Sequence, residues 1–368
     1  MTTIQTKSTT YFTHGFHPYP AKYTPQLVNR YLSSFCKQGY TILDPFCGSG
    51  TTIVEGAING INSVGIDLNP IAYIVSKAKS NQYQNSDIQL IDKIINQIRT
   101  LNTNFSSDVQ IPDFPNRNHW FQDNVCVELA KLKSKINLVE NENVKDLLLC
   151  AFSKIIVKVS NQDSEVRYTA KNKNISDGTV YQLFIDTLLN YIDVLKSNEY
   201  KILAKTEIFN GDTLLELYQF KENYFDFVIT SPPYINTFDY YLYHKLRMFW
   251  LDYDHRPVRQ KEIGNHHRID TKDFATAKKE YIDSMSNIMN ELSRVSKSDS
   301  NFVMIIGDGI VDGITIDMSK VISEICETSN YKVESIESVN LADITRSFNK
   351  KFSNAPKKEH NIILTNNK

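Results

Sequence analysis

A nine-residue stretch, Asp44-Pro45-Phe46-Cys47-Gly48-Ser49-Gly50-Thr51-Thr52, constrains this chain more than any other part of it. It follows a short apolar run, Tyr40 to Asp44, and opens helical spacing from Thr51 to Asn59. Asn62 to Asp67 then reads as a second strand and Pro70 to Lys79 as a second helix. Strand, glycine turn, helix, strand and helix in that order start a doubly wound parallel sheet. Glycine is otherwise scarce: the 368 residues hold 13, and five of them fall between Gly48 and Gly65. The usual share is about 7%, so backbone freedom is concentrated here.

The turn has the chemistry of a ligand loop. Gly48 and Gly50 let a backbone approach a ligand where a Cβ would collide. The helix start at Thr51 and Thr52 offers unpaired N–H groups to an anion. No Lys follows the glycines, as a triphosphate loop would require, and Asp44 precedes them. A carboxylate there suits a cationic amine. Asp67, at the end of the second strand, suits the hydroxyls of a ribose, because an ionised carboxylate accepts several hydrogen bonds. The ligand expected is an adenosine bearing an amino-acid group. An ordinary strand-to-helix turn is the alternative.

Farther on the texture changes. Ile88 to Leu101, Val125 to Val139, Val144 to Val159 and Thr179 to Leu195 have helical apolar spacing. Strand patterns return at Thr206 to Phe209, Phe225 to Thr230 and Phe302 to Ile306. Tyr331 to Val339 and Asn361 to Leu364 read as a closing antiparallel pair. Two strands cannot bury enough surface alone, so both halves must form one sheet. The expected organisation is 1–86 as the first part of a catalytic domain, 87–200 as a helical insertion, and 201–368 as its second part.

A second turn also carries chemistry. Thr230-Ser231-Pro232-Pro233-Tyr234 follows the strand at Phe225. Two prolines end a strand and hold their carbonyls rigidly. The Ser231 hydroxyl and those carbonyls can accept hydrogen bonds from a planar NH2, while Tyr234 offers a ring for stacking. That suits a nucleobase taken out of its stack. Both turns lie at carboxyl ends of strands, where open α/β sheets bind ligands.

Together these residues resemble the DNA amino-methyltransferases that use S-adenosylmethionine. Asp44 to Thr52 is similar to their cofactor motif, and Phe225 to Tyr234 to their catalytic motif. Asn210-Gly211-Asp212 resembles the start of the stretch that leads into that catalytic motif. His17-Pro18-Tyr19-Pro20-Ala21-Lys22 resembles the segment over the methionine end of the cofactor. The resemblance implies a class I methyltransferase fold: a Rossmann-like, mostly parallel sheet with an antiparallel hairpin at one edge and a helical insertion. It implies S-adenosyl-L-methionine as cofactor, held by Tyr19, Lys22, Asp44, Phe46, Cys47, Gly48, Gly50, Thr51, Thr52, Asp67, Leu68, Asn69, Asp212 and Thr213. Ser231, Pro232, Pro233 and Tyr234 would hold the target base. Family members with Ser at the position of Ser231 usually act on the N4 amino group of cytosine, so that base is favoured over adenine N6. An RNA methyltransferase and a non-catalytic DNA-binding protein are the more distant readings.

A formal charge of −1 argues against a strongly attracted polyanion, but local charge matters more than the sum. Residues 244–268 hold six Lys/Arg against three acids, and residues 346–358 hold five against none. Lys245, Arg247, Arg256, Arg259, His266, His267, Arg268, Arg346, Lys350 and Lys351 are therefore candidates to touch double-stranded DNA, with 244–275 as a recognition segment. Solvated surface is the alternative. His266-His267 lacks partner ligands, so no metal is expected. Five cysteines without paired spacing read as reduced core thiols. With no apolar run of about 18 residues and a polar start, the expectation is a cytoplasmic protein without membrane contact. A cognate restriction endonuclease or defence system is the expected partner.

Overall fold

The computed structural model describes residues 8–101, 109–165, 167–235, 239–265, 274–311, 314–341 and 357–368. Its centre is a seven-stranded sheet in the order β10-β11-β7-β6-β1-β2-β5. These strands are β1 (Thr41–Asp44), β2 (Asn62–Asp67), β5 (Thr206–Asn210), β6 (Phe225–Thr230), β7 (Ser296–Gly307), β10 (Tyr331–Asn340) and β11 (Lys358–Asn366). β7, β6, β1, β2 and β5 run parallel, and β11 is antiparallel to both β7 and β10. This is the class I methyltransferase arrangement expected from the sequence, with its one reversed strand near the edge.

Period-two alternation places the sheet between two cores. Ile42, Phe227, Ile229, Val303 and Ile305 face α1 (Pro25–Phe35), against its Val28, Tyr31 and Leu32. Leu43, Phe225, Val228, Phe302, Met304 and Ile306 face the other way. There they meet α12 (Phe274–Val295) and α13 (Met318–Glu327). Each fully buried Ile, Val or Phe stabilises by roughly 1.5–3 kcal/mol through area removed from water.

α2 (Thr51–Ile58) and α3 (Pro70–Ser80) follow β1 and β2. Pro70 suits the first turn of α3 because its missing N–H would be unpaired there anyway, and the Asn69 side chain accepts from Ile71 N at 3.0 Å. α4 (Asn85–Arg99), α5 (Arg117–Trp120), α6 (Asp123–Asn137), α7 (Glu142–Val159) and α8 (Thr179–Leu195) form the helical block. Their apolar faces join one continuous core with Ile71, Ile74, Val75 and Ala78 of α3 and with Leu246, Met248 and Trp250 farther along the chain. The block therefore packs on the sheet's own helices.

The span 161–178 contains a hairpin of β3 (Gln162–Ser164) and β4 (Arg167–Ala170). A second small hairpin joins β8 (Gly309–Val311) and β9 (Ile314–Ile316). α9 (Thr213–Leu217), α10 (Tyr240–Trp250) and α11 (His255–Lys261) complete the elements. Among the described residues no helix is long and apolar enough to cross a membrane.

Candidate active site

A cavity opens at the carboxyl ends of β1, β2, β5 and β6. Of the expected cofactor residues, Tyr19, Lys22, Phe46, Cys47, Gly48, Thr51, Asp67, Leu68, Asn69, Asp212 and Thr213 line it, and so do Ser231 and Pro233. The two motifs, remote in sequence, thus share one space.

Asp67 brings a carboxylate with spare acceptor capacity to the cavity. Its Oδ2 accepts from Gly48 N at 2.8 Å and its Oδ1 from Asn69 N at 2.8 Å. Each oxygen keeps a second lone pair. Burial raises its pKa to about 6, opposed by those two amides. Asp212 caps α9 by accepting from Leu214 N at 3.1 Å, and Thr213 donates to the Pro45 carbonyl at 2.7 Å. Together they hold the β5 end against the glycine loop. Ser49 Oγ and Asn69 Nδ2 are buried, belong to residues that line the cavity, and have no hydrogen-bond partner among the described residues. Buried polar atoms without partners are rare, and here they mark where a polar ligand completes the site. A cavity with a loop at β1, a carboxylate at β2 and orphan donors fits S-adenosylmethionine.

Several expected residues act elsewhere. Asp44 does not line the cavity: it is fully buried behind the loop. Its carboxylate accepts from Tyr23 Oη at 2.7 Å, Thr230 Oγ1 at 2.6 Å and Phe46 N at 3.2 Å. It ties the cofactor loop to the residue before Ser231. Thr52 is also buried, bonded to the Tyr23 hydroxyl. Gly50 is required by helix packing. Its φ is +77°, and a Cβ there would lie 2.7 Å from Ser76 Cβ of α3. Gly48 lines the cavity. Its φ is +48°, and a Cβ there would meet the Tyr19 ring at 3.4 Å. Burial, with Asp67 and Asp44 close by, holds the Cys47 thiol well above its usual range, so it stays protonated and non-nucleophilic.

At the second turn, the Ser231 and Tyr234 hydroxyls share a hydrogen bond of 2.9 Å. Pro233 O is not free, because Tyr281 Oη donates to it at 3.0 Å. No bond to the Pro232 carbonyl occurs among the described residues. The Tyr234 ring lies against Gly307, where an added Cβ would be 3.0 Å from Cε2. Burial raises its phenol pKa.

The basic strip divides. Arg247 is not available to DNA. It is 1% exposed, donates from Nε to Ser153 O at 3.0 Å and from Nη1 to Tyr243 O at 3.2 Å, and pairs with Glu165. It fastens α10 to α7 and to the β3–β4 hairpin. Lys245 is half-buried over Phe249 at 5.8 Å, and Arg259 stands 5.8 Å from the Tyr241 ring. Arg256 is exposed beside Asp254, with Nη2 and Oδ2 2.8 Å apart. His266, His267, Arg268, Arg346, Lys350 and Lys351 lie outside the described residues.

The sequence reading missed Tyr23, Ser49, Tyr240 and Glu262, which also line the cavity. Tyr23 and Ser49 adjoin or lie inside quoted motifs. Tyr240 and Glu262 carry no motif, and only folding brings them in. Glu262 is 7% exposed and accepts from Tyr240 N at 2.9 Å and Tyr241 N at 3.5 Å, capping α10. Burial raises its pKa to about 8, with Asp239 and Asp67 adding repulsion. Tyr240 stacks near Tyr19 with ring centroids 6.3 Å apart, and His244 approaches Tyr19 at 4.8 Å.

Residues 2–78 match the family described as DNA methylase, of the N6/N4 type. Among curated proteins, the chain is 28% identical to the Type II methyltransferase M.MvaI of Kocuria varians over 65% of this chain and 58% of that one. It is 22% identical to M.MjaII of Methanocaldococcus jannaschii over 83% and 74%, and 27% identical to M.BsoBI of Geobacillus stearothermophilus over 67% and 54%. The chain thus spans little more than half the length of M.MvaI and M.BsoBI. A solved S-adenosylmethionine-dependent methyltransferase from Methanosarcina mazei overlays 95% of this chain and 99% of its own at 11% identity. The TM-score of that overlay is 0.36. The matched segment and these relatives make the chain similar to S-adenosylmethionine-dependent DNA amino-methyltransferases of the N6/N4 type.

Proposed function

We propose that the protein methylates an exocyclic amino group of a base in double-stranded DNA, and that the base is cytosine, modified at N4. One observation carries the reading: Asp67 and Asp212 line the same cavity as Ser231 and Pro233, so a methyl donor and an acceptor base can meet there. When bound, S-adenosylmethionine supplies an electrophilic methyl group. The chain's residues do the rest. Asp67 holds ribose hydroxyls, Asp212 the adenine end, and Gly48 with Ser49 the amino-acid end. Ser231 Oγ and the Pro232 carbonyl accept from the target NH2 and turn its lone pair out of the ring plane. Preorganised acceptors of this kind lower the barrier because they need no rearrangement during reaction. Tyr234 would release Ser231 and stack on the base. No covalent bond to the protein is needed, in keeping with the protonated Cys47.

Ser231 supports cytosine through the family resemblance. Lys245, Arg256 and Arg259 are proposed phosphate contacts, with 244–275 reading the site. The relatives' description as Type II methyltransferases supports methyl transfer; a role in marking DNA beside a restriction endonuclease, in the cytoplasm, is proposed from the family resemblance alone. The test is to incubate protein, duplex DNA and methyl-labelled cofactor, then digest the DNA to nucleosides. Label in N4-methyldeoxycytidine is expected. Label in N6-methyldeoxyadenosine would overturn the choice of base, and unlabelled DNA would overturn the activity.

A further inference from the structure

We propose that Glu262 selects the cofactor by charge, so that with Tyr19 and Tyr240 it favours the cationic sulfonium donor over the neutral thioether product. The inference rests on the S-adenosylmethionine reading. It concerns a residue that no motif in the chain marks.

Three side chains that line one stretch of the cavity carry it. Tyr19 reaches over Gly48, Tyr240 stacks near Tyr19 at 6.3 Å, and Glu262 accepts from the main-chain N–H of Tyr240. All three line the cavity that Asp67 and Ser231 also line; Tyr19, Tyr240 and Glu262 stand close to Asp67, and Tyr240 close to Tyr234, the hydrogen-bond partner of Ser231. The sulfonium lies chemically between the ribose and the acceptor base, because it joins the ribose to the transferable methyl. Aromatic faces attract a cation through their quadrupoles, more so when desolvated. A carboxylate beside them adds Coulombic attraction, which is strong where water is excluded. Glu262 is 7% exposed and makes no ion pair among the described residues. Its two amide partners satisfy hydrogen bonds without neutralising the charge. An isolated buried carboxylate is costly, and a cationic ligand removes that cost.

The groups facing Glu262 define its pH behaviour. Asp67 from the β2 end and Asp239 before α10 oppose its ionisation, as does burial. Tyr19 and Tyr240 also stand close, held protonated by burial. On its own segment Lys261 shares the cavity lining. With a pKa of about 8, Glu262 is neutral in the free protein at pH 6.5 and ionised at pH 9. A cation entering the cavity favours the ionised form and expels a proton near neutrality.

The test compares three probes by calorimetry: S-adenosylmethionine, S-adenosylhomocysteine, and sinefungin, whose amine replaces the sulfonium. All three share the adenosine and amino-acid ends. At pH 9, Glu262→Gln should lower affinity for the two cations roughly tenfold while that for the thioether changes less than about twofold; at pH 6.5 the loss should shrink to less than about twofold. The Gln carbonyl can still cap α10, so the helix start is retained. In the wild type, the ratio of cation to thioether affinity should rise roughly tenfold from pH 6.5 to 9, needing no variant. Equal loss for all three probes would reduce Glu262 to a helix cap and overturn the proposal, as would a ratio that ignores both pH and substitution. If the wild type binds none of the three, the cofactor reading itself fails.

Discussion

Replacing Arg247 with Met separates a structural basic residue from one proposed to meet DNA. The side chain keeps an apolar stem but loses the guanidinium, which bonds Ser153 O and Tyr243 O and pairs with Glu165. Breaking a buried ion pair by removing one partner costs about 3–5 kcal/mol. Glu165 keeps 30% of its side-chain exposure, so water can solvate it once abandoned, and the expected loss falls to about 2–4 kcal/mol. Urea unfolding followed by circular dichroism should show a lower midpoint at an unchanged slope. Titration with duplex DNA at several salt concentrations supplies the second axis. A phosphate contact contributes about 0.9 to the slope of log K against log salt, and Arg247→Met should leave that slope alone. Lys245→Met should do the reverse, losing about 0.9 in slope while moving stability by less than about 0.5 kcal/mol. The reasoning is refuted if Arg247→Met leaves the urea midpoint in place and lowers the salt slope by about one.

Two further outcomes follow from the packing. Gly50→Ala should destabilise by about 2–4 kcal/mol in urea unfolding, from a left-handed backbone and a Cβ 2.7 Å from Ser76 Cβ; a loss below about 0.5 kcal/mol would show that α2 and α3 separate freely. Lys79 is 1% exposed on α3, and burial lowers its pKa to about 7, against about 10.4 in the unfolded chain. Between those values the unfolded chain holds more protons, so this residue makes stability rise with pH. Lys79→Met should exceed the wild type in stability at pH 7 by up to about 4 kcal/mol, the gap closing towards pH 10. A gap that does not vary with pH would refute the burial argument.

Much of the fold was legible because local chemistry punctuates it. Pro45, Gly48, Gly50 and Pro70 bound β1, α2 and α3, while apolar spacing marks α4 and α6 to α8. The alternation of Phe227, Val228 and Ile229 between two cores is the period a half-read strand shows. Residues whose meaning depends on distant partners were not legible. Arg247 looks like any residue of a basic strip, and only the hairpin carrying Glu165 reveals it as internal. Asp44 reads as a ligand residue until Tyr23 and Thr230 are found to occupy it. Glu262 has no signature, because its burial comes from α10 and the β2 end meeting across the cavity. Gly50 was assigned to ligand approach when the crowding came from Ser76.

The bond from Thr230 to Asp44 has a mechanical consequence. β1 and β6 are paired, Ile42 with Phe227 and Leu43 with Val228, so donor loop and acceptor turn emerge side by side from adjacent strands. The hydrogen bond then locks their tips as well as their stems. On the proposed reading, strand register and this bond together set the span between a bound donor and the acceptor base. That gauge is carried by the pairing of two neighbouring strands, although their motifs lie almost two hundred residues apart in sequence.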